Sequence, residues 1–105
     1  MEQKIKAFAE LIEKEQRAKY EKFFTVTDPE ARESLIKNSS EVKVIPGKKY
    51  TKVDVGNSGK YMVDDEGNIW GIKGYGVIHR GHHYGTLDTI NDYYWGEYVA
   101  CRRNP

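Results

Sequence analysis

The chain has three histidines, all within one run of five residues, His79-Arg80-Gly81-His82-His83. Imidazole changes charge near neutral pH, ligates metals and moves protons, so this run admits several chemistries. In a metal-independent ribonuclease, His79, His82 or His83 would act as acid and base, and Arg80 or Lys60 would stabilise charge building on phosphorus. In a metal site, His79 with His82 or His83 needs a third ligand such as Asp88, and the spacing matches no standard zinc pattern. The reading that carries most weight is a polar surface loop joining two strands.

Other runs with a chemical look fail on spacing. Gly56-Asn57-Ser58-Gly59-Lys60 has two residues between its glycines where a phosphate loop has four, and Tyr61 stands where Ser or Thr would hold Mg²⁺. Gly71, Gly74 and Gly76 lack the third glycine of a dinucleotide fingerprint, because His79 occupies that position. Asp64-Asp65-Glu66-Gly67-Asn68 has no distant glutamate to close a calcium loop and reads as an acidic hairpin turn. Cys101 is the single cysteine. It excludes an intrachain disulfide and a Cys-rich zinc site, and reads as a small buried residue. No cofactor or metal is called for.

A second group of residues recognises rather than reacts. Tyr75, Tyr84, Tyr93, Tyr94, Trp95 and Tyr98 crowd the C-terminal half with Trp70. A domain of this size cannot bury them all with their polar atoms satisfied. Core packing is expected for Trp70 and competes with exposure for Trp95. The candidate contact surface is Tyr75, His79, Arg80, His82, His83, Tyr84, Tyr94 and Trp95. Tyr, Trp and Arg dominate protein-binding hot spots, and the same types stack on unpaired bases. Direct nucleic-acid contact therefore stays open, as does a single-stranded RNA-binding small-barrel module.

The elements that position these residues change character near residue 40. All ten glycines lie at or after Gly47, and the first 40 residues carry charges throughout. Ile5, Phe8, Ala9 and Ile12 recur at helical spacing, predicting a helix over about 2–22 whose apolar stripe fades after Ile12. Pairs such as Glu13–Arg17 support that solvated stretch. Phe23 and Phe24 are expected to anchor its end. Thr27-Asp28-Pro29-Glu30 opens a second helix, with Ala31, Leu35 and Ile36 as its apolar face. From Val42 onward, alternation and turn residues predict five or six short antiparallel strands, with 84–90 and 94–101 as candidates for the last ones and Asn91-Asp92-Tyr93 equally able to open a helical turn. The fold class is α+β: two N-terminal helices followed by a bent antiparallel sheet or a small β-barrel.

With 105 residues, the chain is expected to form a single domain, helical over 1–40 and β-rich over 41–105. A formal charge of +1 argues against an acidic DNA mimic and against a basic nucleic-acid binder, and so favours a protein partner. The charged first 24 residues do not form a secretory signal, and no run approaches the roughly 18 apolar residues of a membrane span. A soluble, cytoplasmic protein without membrane contact is expected, and the first helix is a candidate homodimer contact.

Lys60-Tyr61-Met62-Val63, Gly67-Asn68-Ile69-Trp70-Gly71-Ile72-Lys73-Gly74-Tyr75-Gly76 and Tyr84-Gly85-Thr86-Leu87-Asp88-Thr89-Ile90 together resemble short uncharacterised proteins of bacteriophages and mobile elements. The resemblance covers about residues 50–98. It implies a non-catalytic binding protein that inhibits a host defence complex, in the manner of anti-CRISPR proteins. The partner would then be a host protein or ribonucleoprotein complex, and the site the host cytoplasm. No catalytic residue comes with it.

Overall fold

The computed structural model describes residues 2–25, 27–56, 58–74, 77–96 and 100–102. Helix α1 spans Glu2–Phe23 and α2 spans Pro29–Ser40. Strands β1 (Val42–Ile45), β2 (Tyr50–Val55), β3 (Ser58–Asp64), β4 (Asn68–Gly74) and β5 (Val77–Thr86) follow. They form one antiparallel sheet in the order β1-β2-β3-β4-β5. A 3₁₀ turn at Ile90–Asp92 leads to a two-stranded ribbon of β6 (Tyr93–Tyr94) and β7 (Cys101–Arg102). The fold is α+β as expected, and the sheet does not close into a barrel, since β1 and β5 are both edges.

Local chemistry explains the helix boundaries. Asp28 caps α2 by accepting the Glu30 backbone N–H, and Pro29 takes the first turn, where its missing N–H costs nothing. Of the expected apolar face of α2, Ile36 is buried but Leu35 is 41% exposed. Of the expected anchors at the end of α1, Phe23 is 70% exposed and meets Phe24 edge-on, while Phe24 is half-buried and stacks on Tyr20.

Helix α1 lays Ile5, Phe8 and Ile12 against Val53, Val55, Tyr61, Val63 and Ile69, with Leu87, Ile90, Trp95 and Ala100 completing the core. Its polar second half also faces the protein. Gln16 is 3% exposed and donates to the Trp95 carbonyl at 2.7 Å, while Glu15 accepts the Trp95 backbone N–H at 2.9 Å. Glu13 accepts the Val42 N–H, and Arg17 bridges Glu21 and, on α2, Glu33. The expected Glu13–Arg17 pair gives way because strand starts offer backbone donors that need acceptors. The stripe thus fades where the helix changes from apolar packing to hydrogen bonding.

Three further expectations are corrected. The run 79–83 is no loop: it lies inside β5, an edge strand, where solvent reaches side chains on both faces and alternation is not required. Residues 84–90 are strand only as far as Thr86, after which Leu87 enters the core and Ile90 opens the 3₁₀ turn. Cys101 is exposed on β7.

Candidate functional site

Strand register sorts the candidate residues onto two faces. Val44, Val53, Tyr61, Gly71 and His79 are successive cross-strand partners from β1 to β5 and lie on the helix-facing side. Ile45, Lys52, Met62, Trp70 and His83 form the next row and point the other way. Register shifts between β4 and β5 place His82 and Tyr84 beside Gly71, on the helix-facing side. The histidine run is therefore divided by the sheet.

The open face centres on Trp70. Its half-buried indole stacks on His83, with ring centroids 4.6 Å apart, and the Arg80 guanidinium lies 5.9 Å from its centre. Trp70 Nε1 donates to Asp64 Oδ2 at 3.1 Å, and Arg80 reaches the Tyr50 hydroxyl at 3.4 Å. Asp64 is shared with the β3–β4 turn, accepting the backbone N–H groups of Glu66 at 3.0 Å and Asn68 at 2.9 Å. Partial burial pushes its carboxyl upward, but the hydrogen bonds from Trp70, Asn68 and Glu66 outweigh this and hold it below the ordinary aspartate value. The hairpin glycine, Gly67, adopts φ +86°, as the tight turn demands. The acidic run is thus a structural turn that fixes an indole. Met62, between Lys52 and Trp70, is 4% exposed, while Arg80 and His83 are exposed.

The helix-facing side is different. His79 and His82 stack with centroids 4.0 Å apart at an interplanar angle of 13°. Gly71 permits this: a Cβ there would lie 2.9 Å from His82 Cβ and 3.2 Å from the Tyr84 ring. Beyond them, between the sheet and the second half of α1, a cavity of about 480 Å³ is lined by residues including Lys19, Tyr20, Lys60, Tyr61, His82 and Tyr84. Burial first, then the Lys19 charge, holds the Lys60 ammonium below the usual lysine value. Burial also raises the Tyr84 and Tyr61 hydroxyls.

This geometry narrows the chemistry. Imidazoles in face contact cannot flank a phosphodiester as acid and base, because phosphorus must sit between them. His83 is on the other face and cannot join either. Asp88, the suggested third metal ligand, is ion-paired with Lys4 at 2.7 Å. No three His, Cys, Asp or Glu side chains converge among the described residues.

The other candidates scatter. Trp95 is completely buried against Phe8, Tyr61 and Tyr93, so its place on the contact surface is corrected; its indole N–H is satisfied by the Ile90 carbonyl. The two tryptophans exchange expected roles, since Trp70 is the one that meets solvent. Tyr94 is 45% exposed in a separate groove with Phe23 and Lys22. Tyr75 lies outside the described residues. Sequence reasoning missed Tyr50 and Trp70 on the open face, although the β2 alternation had set Tyr50 opposite the core residues. It missed Lys19, Tyr20 and Tyr61 in the cavity; the faded α1 stripe was the signal for Lys19 and Tyr20, and Tyr61 on β3 had none.

Comparison with protein families, curated proteins and solved structures finds no match in any of the three. No helix among the described residues is long and apolar enough to cross a membrane.

Proposed function

We propose that this protein is a non-catalytic binding protein whose contact surface is the open face of the sheet. The observation that carries the reading is the Trp70 cluster. An indole fixed by Asp64, stacked on His83 and flanked by Arg80 and Tyr50 presents the side chains that anchor protein interfaces. Its rings are already oriented, so little side-chain entropy is lost on docking. The near-neutral charge favours a protein partner over a nucleic acid. From the resemblance of residues 50–98 to phage and mobile-element proteins, the partner is a host defence complex.

The test is capture by the immobilised chain from lysate of a candidate host, with wild type, Arg80→Glu and His83→Ala compared side by side. Wild type should retain one defined complex, and Arg80→Glu should release it while keeping the wild-type melting temperature. Retention of the same complex by a folded Arg80→Glu protein would remove the open face as the contact surface.

A further inference from the structure

A second surface lies at the edge of the sheet opposite Arg80 and His83. Strand β1 forms that edge, and its backbone groups alternate between a side that meets β2 and a side that does not. The Glu41 carbonyl accepts the Gly56 N–H at the end of β2, so Glu41, Lys43 and Ile45 turn their backbone groups toward β2. Val42 and Val44 turn theirs outward. Glu13 of α1 marks the direction, since its carboxylate accepts the Val42 N–H at 3.1 Å. It stands where the first bond from a neighbouring strand would form. The Val44 N–H and the Val42 and Val44 carbonyls face the same way, and no strand lies beyond them among the described residues.

A groove of about 610 Å³ runs beside this edge, between β1 and the first half of α1. Ile5 and Ala9 from the helix, with Val42 and Val44 from the strand, give it an apolar floor. Val44 and Ile45, adjacent on the edge, are 37% and 40% exposed. Exposed apolar residues on an unpaired edge favour the addition of another strand. The helix wall sets three carboxylates, Glu2, Glu10 and Glu13, against one ammonium, Lys6. Glu2 and Glu10 form no ion pair among the described residues. A second copy seated two-fold on the groove would set these carboxylates against their own image, which repels. A cationic segment is the complement.

We infer that β1 takes up an extended segment of a partner protein as a further strand, with apolar residues and Lys or Arg alternating on the side of the segment that faces the groove. The main chain of the segment meets the Val44 N–H and the outward carbonyls, and these bonds are indifferent to its sequence. The groove supplies the selectivity. An apolar side chain lies over Ile5, Ala9 and Val44, and a basic one runs its methylene stem along the same floor to place its charge at Glu2 or Glu10. This surface goes beyond the open-face reading and uses none of the Trp70 cluster.

The test titrates the full chain with an end-blocked peptide, Thr-Val-Thr-Lys repeated twice, by calorimetry and by amide NMR shifts. Its valines and lysines share one side when it is extended. Two control peptides replace its lysines with glutamate or N-methylate its valines. The lysine peptide should bind with Kd below about 1 mM and shift the Val44 amide, and each control should bind about tenfold more weakly or worse. Val44→Pro removes an outward N–H and no bond to β2, so it should keep the wild-type melting temperature and lose the peptide. Glu10→Lys should weaken the lysine peptide about tenfold and strengthen the glutamate peptide, a reversal that no loss of structure produces. Arg80→Glu, on the far edge, should bind the peptide as wild type does. Absence of binding at about 10 mM lysine peptide overturns the inference. So does equal binding of either control peptide, or binding that a folded Val44→Pro or Glu10→Lys protein retains unchanged. A wild-type dimer in sedimentation equilibrium that Val44→Pro dissociates would give the groove to a second copy and overturn it too. None of these outcomes bears on capture of a partner by the open face, so the two readings fail separately.

Discussion

One strand serves two unlike surfaces. From β5, Arg80 and His83 go to the open face, where they dress an indole held by a turn carboxylate; His79 and His82 go to the helix side, where they stack and His82 lines a cavity with Lys19 and Lys60. The open face is broad and made of long side chains resting on one another. The helix-facing side is concave and owes its shape to what is missing: a side chain at Gly71 and an apolar stripe on α1 after Ile12. The lesson is that a cluster in sequence need not be a cluster in space. An edge strand with shifted register distributes neighbours to opposite sides, and each side then takes its chemistry from different elements.

This contrast can be broken by substitution, and the largest effect should come from the core beneath the cavity. Trp95→Ala removes the buried indole that meets Phe8 and Tyr61, and should destabilise the fold by about 3–5 kcal/mol in denaturant unfolding. Trp70→Ala on the opposite face should cost less, about 1–3 kcal/mol, because the indole is only half-buried. If the two costs were equal, the assignment of one tryptophan to core and the other to surface would be wrong.

Next in size is the hold of Asp64 on Trp70. The folded protein keeps this carboxyl below its ordinary value, so its contribution is present above the unfolded aspartate pKa, about 3.9, and is lost as pH falls through the lower folded value. Acid titration below about pH 4 should therefore destabilise wild type more than Asp64→Asn. At neutral pH, Asp64→Asn should cost about 1 kcal/mol, through weakened hydrogen bonds to Trp70 and the turn. A wild-type acid slope matched by the variant would sever the turn from the indole.

The smallest effect on stability should belong to Arg80→Ala, within about 0.5 kcal/mol of wild type, as for an exposed residue on a sheet edge. The same change should weaken partner binding by more than about 1 kcal/mol if the open face is the contact surface. An Arg80→Ala protein that both folds and binds like wild type would shift attention to Tyr94 and its separate groove.

Much of the architecture was legible because it rests on local chemistry. Asp28-Pro29 starts α2, the alternation of Val53 and Val55 marks the buried face of β2, and Gly67 makes its hairpin turn. The site was less legible. Trp70 and Trp95 look alike in sequence, and only the register of β4 and the docking of the 3₁₀ turn tell which one is sealed. Gln16 reads as a solvated helix residue until its hydrogen bond to Trp95, 79 positions later in the chain, explains its burial.

From its residues alone, this chain is bound to make two helices and a glycine-punctuated antiparallel sheet, because capping, periodicity and turn preference act over a few neighbouring residues. Which aromatic rings face solvent, which imidazoles touch, and where lysines meet across a hollow were settled by strand register and by the seating of α1 on the sheet. Those are contacts between residues far apart in sequence, and their energies are decided only when the elements pack.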